Sequence, residues 1–268
     1  LACGMLFRQG QLILPQLSVL GFADSEFTDR RAERAEAELV CSYLAPDDRV
    51  FYVGQGDNGE GWFSAVFDFY PILVDYSGMP VCLHFTDNEA LAKRICTAVF
   101  DSPEWVLLDM GVIKEKDGIE KMISRLDTEE EKELAVKCFD HWHEYNMTAR
   151  PEMGDLIRDL KAKGYGIYLC SNASVRLLTC YKKVLPAIDC FDGILFSAEV
   201  LCMKPQKEMY GHFFDRFGLK PEECYFIDDL QNNIEGAKAC GMDGYCFADG
   251  DVGKLKETLY GSVLSLTK

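Results

Sequence analysis

Positive charge is scarce in this 268-residue chain: 28 Lys and Arg stand against 44 Asp and Glu, a formal charge of −16. Such a surface repels phosphate backbones and anionic lipid, so nucleic acid and membrane surfaces are not expected partners. A phosphorylated molecule would need a divalent cation to sit comfortably on it. No C-x-x-C pair occurs among the 12 cysteines, which sets aside a zinc ribbon and a redox dithiol. Long apolar runs are missing too. Arg8 and Pro15 interrupt the apolar N-terminal stretch, and no basic n-region or cleavage-like pattern accompanies it, so neither a signal peptide nor a membrane span is expected. Histidine is rare, with only four residues. His141 and His143, at i and i+2, would face different sides of a helix and cannot share a metal, and His84 and His212 are isolated.

What remains is a globular composition, with 48% apolar residues and a length suited to one large domain or two small ones. The cysteines are scattered, and Cys170 and Cys224 sit inside apolar runs, so reduced thiols and a cytoplasmic protein are the expectation. Four short, mostly apolar runs end in polar residues: 64–68 (SAVFD), 165–171 (YGIYLCS), 193–197 (GILFS) and 224–228 (CYFID). That is how buried parallel strands read where their carboxyl ends open onto a site. Helical stripes precede the second run and follow the third and the fourth. Met153, Leu156, Ile157 and Leu160 follow Pro151 and precede Gly164; Met209, Phe213, Phe214 and Phe217 stop at Gly218; Ile234, Ala237 and Cys240 stop at Gly241. Strands alternating with helices predict a parallel sheet covered on both faces.

Between the first strand and the helix at 153 the pattern is helix after helix. Leu91, Ile95 and Val99 form one stripe, Ser102-Pro103-Glu104 pairs a cap with an N1 proline, and Ile119, Met122, Ile123 and Leu126 repeat the i, i+3, i+4, i+7 spacing. Thr128 and Glu131 form a capping box for a helix through Trp142 and Tyr145. A helical insertion at this place predicts a cap beside the active face, with Trp105 and Trp142 in its core. The first sixty residues are less legible: 28–44 reads as a charged amphipathic helix and 49–54 as a strand. Gly54, Gly56 and Gly59 match G-x-G-x-x-G literally, but no room is left for the helix that fingerprint requires, so a polar turn is expected instead of a nucleotide site.

The four strands bring four polar clusters to one edge: Asp68, then Ser171-Asn172, then Lys204 before Pro205, then Asp228-Asp229. A carboxylate at Asp68 can attack a phosphorus centre, which splits one hard displacement into two easier ones. Asp228 and Asp229 suit Mg²⁺, a hard ion that prefers carboxylate and phosphate oxygens. Lys204 and the Ser171 hydroxyl can bond phosphoryl oxygens, and Asn233 is expected to orient Asp229 or a metal-bound water.

Phe67-Asp68 with Leu73-Val74-Asp75, then Leu169-Cys170-Ser171-Asn172, then Lys204-Pro205, then Phe226-Ile227-Asp228-Asp229 with Asn233, resemble the four ordered motifs of the haloacid dehalogenase-like (HAD) hydrolase superfamily. The resemblance covers roughly residues 63–248. It implies a Rossmann-like three-layer α/β/α parallel sheet with an inserted helical cap. The core would comprise 63–80 and 148–268, the cap 81–147, and residues 1–62 an N-terminal extension. It further implies Asp68, Tyr70, Ser171 and Lys204 as catalytic groups and Ser171, Asn172 and Lys204 as substrate-binding groups. Asp68, Asp228, Asp229 and the Tyr70 carbonyl would be ligands of Mg²⁺, and the partner a small phosphorylated molecule.

One departure bears on activity. Tyr70 stands two residues after Asp68, where phosphatases of this superfamily usually carry an acid that protonates the leaving oxygen; a phenol is far weaker at neutral pH. Tyrosine here resembles the metal-independent 2-haloacid dehalogenases, although the acidic pair Asp228-Asp229 is kept. Pro71 and Ile72 also replace the small residues usual in this turn. Three readings follow: an Mg²⁺-dependent phosphohydrolase working through an aspartyl-phosphate, which is favoured; a binding or regulatory protein that kept the fold without the chemistry; and a dehalogenase-type hydrolase.

Overall fold

The computed structural model describes residues 63–263 together with Phe7–Arg8 and Gln11–Leu12, two short strands paired antiparallel. The helix expected over 28–44, the strand over 49–54 and the glycine-rich turn at 54–59 lie outside the described residues. The described residues 63–259 form one compact unit.

That unit is organised by a five-stranded parallel sheet. Its strands are β1 (Ser64–Phe67), β4 (Gly166–Ser171), β5 (Gly193–Phe196), β6 (Cys224–Asp228) and β7 (Asp243–Cys246), in the spatial order β5-β4-β1-β6-β7. Central β1 is buried along its whole length, as a strand with neighbours on both sides and layers on both faces must be. Val66, Cys170, Leu195 and Phe226 point to one face and pack against Met209, Tyr210, Phe213 and Ile234. Those partners belong to α8 (Lys207–Phe217) and α9 (Gln231–Ala239). Alternation sends Phe67, Leu169 and Ile227 to the opposite face. Helix α6 (Pro151–Ala162) packs on β4 and buries Met153, Leu156, Ile157 and Leu160, the expected stripe. Burying each such side chain stabilises by about 1.5–3 kcal/mol. Helix α8 stops at Gly218, whose φ of 64° is the left-handed conformation that glycine adopts freely.

Expected and observed strands agree for four of the five. β7 closes one sheet edge beside β6, and helix α10 (Val252–Val263) follows it, both without a prior signal. Between β1 and α6 the chain leaves the sheet through a two-stranded antiparallel stem, β2 (Val74–Tyr76) and β3 (Met147–Ala149). Five helices lie between these strands: α1 (Met79–Phe85), α2 (Glu89–Val99), α3 (Pro103–Asp109), α4 (Glu115–Ile123) and α5 (Glu129–Tyr145). Asn88 and Ser102 cap α2 and α3, and the Thr128–Glu131 capping box opens α5. Trp142 is buried with its ring 5.3 Å from that of Trp105 and 6.0 Å from that of Tyr76. The ten described cysteines are free thiols, and no described helix is long and apolar enough to cross a membrane.

Candidate functional site

Three of the expected residues converge through one lysine. Asp68 follows β1 directly and its N–H still bonds the Ile227 carbonyl at 2.9 Å, which fixes it beside the end of β6. The Lys204 ammonium, fully buried, lies 2.9 Å from Asp68 Oδ2 and 2.7 Å from Asp228 Oδ2. Asp68 Oδ1 accepts the Phe69 N–H at 2.7 Å. Asp228 Oδ1 accepts the Leu230 N–H and the Asn233 amide, both at 2.9 Å. Asn233 therefore orients Asp228, not Asp229 as expected; its place in the first turn of α9 points the amide back at the strand end.

Lys204 is no loop cation in water. Asn172 clamps it, with Oδ1 accepting the Lys204 N–H at 2.8 Å and Nδ2 donating to the Lys204 carbonyl at 3.0 Å. Both polar ends of Asn172 are thereby engaged, so its side chain positions Lys204. Ser171 differs. Its hydroxyl is buried without a hydrogen-bond partner, although it lies near enough to Asp68 to favour the ionised carboxylate.

The electrostatics are those of crowded acids. Burial pushes Asp68 up to about 7; Lys204 opposes the rise and Asp228 adds to it. Asp229 is also raised, by burial first and by Asp228 second. Burial alone would lower the Lys204 pKa, yet Asp68 and Asp228 hold it above the ordinary lysine value. Carboxylate oxygens of Asp68, Asp228 and Asp229 lie within 4.8 Å of one another. One ammonium against three carboxylates leaves surplus negative charge, and a compact all-oxygen donor set suits a hard divalent cation. The residues present therefore fit Mg²⁺.

Tyr70 does not face this cluster with its hydroxyl, which donates to Met147 Sδ at 3.0 Å in the stem. Burial lifts the phenol well above its ordinary value, so it is an even poorer acid than expected. Ile72 is fully buried and packs as core. His84, His141 and His143 sit in the helical insertion and His212 on α8, outside the cluster. An acid the sequence reading missed, Asp109 at the end of α3, is brought over the loop that follows β4. No local pattern marks it, because the contact is made across the insertion.

A family model described as haloacid dehalogenase-like hydrolase matches residues 64–241. The chain is similar to the sesquiterpene phosphatase astK of Aspergillus oryzae, 26% identical over 69% of this chain and 90% of that protein. It is also similar to phosphoglycolate phosphatase of Escherichia coli O157:H7, 23% identical over 51% of this chain, and spans 56% of that relative's length. Among solved structures, a HAD family enzyme of Bacteroides thetaiotaomicron, crystallised with magnesium and inorganic phosphate, shares the fold. Its TM-score is 0.52 at 18% identity, over 69% of this chain and 93% of the other.

Proposed function

Because the chain belongs to the haloacid dehalogenase-like hydrolases, we propose that it hydrolyses a small phosphorylated metabolite, with Asp68 as nucleophile and Mg²⁺ as cofactor. The observation that carries this reading is the set of three carboxylates within 4.8 Å around one buried lysine. Asp68 Oδ attacks phosphorus and the ester oxygen leaves, giving an aspartyl-phosphate that water then hydrolyses. Lys204 holds Asp68 by Oδ2 and presents positive charge beside the incoming phosphoryl group. The unpaired Ser171 hydroxyl donates to a phosphoryl oxygen, and Asn172 keeps Lys204 in place from behind. Asp68, Asp228, Asp229 and the Tyr70 carbonyl would hold the Mg²⁺, whose contribution is to neutralise phosphoryl charge.

The two curated relatives act, by their names, on phosphate esters of very different alcohols, which supports the phosphate as the common element. The helical insertion serves as the cap that selects the alcohol. The charge of −16 argues against nucleic acid or membrane as partner, and the free thiols among the described residues support a cytoplasmic protein. Hydrolysis of 4-nitrophenyl phosphate, with and without Mg²⁺, tests the reading. Turnover should vanish with EDTA, return with Mg²⁺, and fall at least about 10³-fold in Asp68→Asn. A folded protein with no turnover is a binding protein, and metal-independent turnover of 2-haloacids makes it a dehalogenase; either result overturns the proposal.

A further inference from the structure

An alkyl phosphate expels an alkoxide, a poor leaving group until it is protonated, so its hydrolysis calls for a proton donor near the ester oxygen. The groups already placed cannot supply one. Asp68 is the nucleophile, Lys204 is bonded to two carboxylates, Asp228 and Asp229 are committed to the cation, and the Tyr70 phenol is tied to Met147.

Asp109, half-buried, is a further acid beside the site. It ends α3, and that end is pinned to the loops at the carboxyl edge of the sheet. The Ser197 hydroxyl donates to the Asp109 carbonyl oxygen, while Ser197 Oγ accepts the Ala173 N–H at 2.9 Å. The Ser174 N–H lies near enough to the Asp109 carboxyl to favour its ionised form. Two residues on, Gly111 (φ 75°) lies so close to the core that a Cβ there would meet the Ala198 carbonyl oxygen at 2.5 Å. The acid thus hangs over the loop that carries Ser171 and Asn172, within the electrostatic reach of Asp68 and Tyr70.

We infer that Asp109, delivered by the insertion, is the proton donor to the leaving oxygen of the phosphate monoester and the acceptor of the water proton afterwards, an assignment that rests on the phosphohydrolase reading above. Burial holds its carboxyl up to about 8; the Ser174 N–H opposes the rise and Asp68 adds to it, so the group carries its proton at neutral pH. In the first half-reaction the Asp68 O–P bond forms and the ester P–O bond breaks. The Asp109 proton passes to the departing oxygen, leaving an alcohol and the Asp109 carboxylate. In the second, water attacks phosphorus, the carboxylate takes one water proton, and the Asp68 O–P bond breaks to release inorganic phosphate. Asp68 is then ionised and Asp109 protonated, as at the start.

The test compares Asp109→Asn with the parent on n-hexyl phosphate and on 4-nitrophenyl phosphate, whose leaving group needs little protonation. The readout is kcat/KM, which covers only the steps through loss of the alcohol. The expected loss is at least about 10²-fold on the alkyl ester and no more than about tenfold on the aryl ester. Equal losses on the two, or an alkyl loss under about tenfold, overturn the assignment and leave the phosphohydrolase reading standing. A parent inactive on both esters overturns the two together. Should Asp109→Asn fail to melt cooperatively, a series of alkyl and aryl esters on the parent decides. A shallow dependence of kcat/KM on the leaving group's pKa is expected with a proton donor in place, and a steep one removes it.

Discussion

The edge of the sheet and the interior of the helical insertion are both buried, and they are held together by opposite means. At the sheet edge, one ammonium joins Asp68 and Asp228 in a place that water does not reach. Taking those charges out of water costs about as much as their attraction returns, so the cluster adds little to stability. In the insertion, Trp142, Trp105 and Tyr76 pack ring against ring around Ala135, Cys138 and Phe139 with no charge among them. These side chains stabilise by the apolar area they bury. The contrast teaches that a site's arrangement can be fixed by interactions that contribute little net stability, while a neighbouring region supplies it.

Lys204→Met should break the contrast most sharply. It leaves two buried carboxylates unpaired and should cost about 3–5 kcal/mol in urea unfolding. In an Asp68→Asn/Asp228→Asn background the same change should cost far less, because no charge is stranded; an undiminished cost would mean Lys204 acts by packing. Trp142→Ala should cost about 3–4 kcal/mol through the cavity it leaves, and no charge neutralisation elsewhere should relieve it. A smaller effect concerns pH. Asp109 is raised in the folded state to about 8 against an unfolded value near ~3.9. Between those values the folded state binds the extra proton, so its contribution is full at low pH and is lost as pH rises through about 8. Asp109→Asn should flatten that part of the decline, read as the difference in urea midpoint between acidic and alkaline buffer; an unchanged slope would show that the group titrates normally. Smallest of all is Arg125→Ala. Arg125 is bonded to Glu104 at 2.6 and 2.7 Å but is 44% exposed, so its loss should shift stability by less than about 1 kcal/mol.

The same contrast explains what could be read from the chain beforehand. The four long strands announce themselves because each is an apolar run closed by polar residues, and Asp68, Lys204 and Asp228 could be brought together by strand order alone. β7 could not, since Asp243-Gly244-Tyr245-Cys246 has neither an apolar run nor alternation and exists by pairing with β6. The three-residue strands β2 and β3 are too short for any period to show. Within the site, chemistry assigned residue types but not partners. Asn172 and Asn233 were placed correctly at the edge, while their bonds to Lys204 and Asp228 depend on loop paths that no spacing encodes. Asp109 was invisible for a related reason. Its position depends on how α3 docks against Ser174, Ser197 and Ala198, far along the chain.

The paired strands of the stem have a consequence for how such proteins diversify. Tyr76 and Met147 are opposite one another in register, so the chain departs for the insertion and returns from it at neighbouring points. Whatever lies between them closes a loop whose ends are already held, and lengthening such a loop adds only a slowly growing entropic cost. The excursion can change length away from α3 while Asp68, Lys204 and Asp228 stay in register on the strands below, whereas replacing it whole would take Asp109 with it.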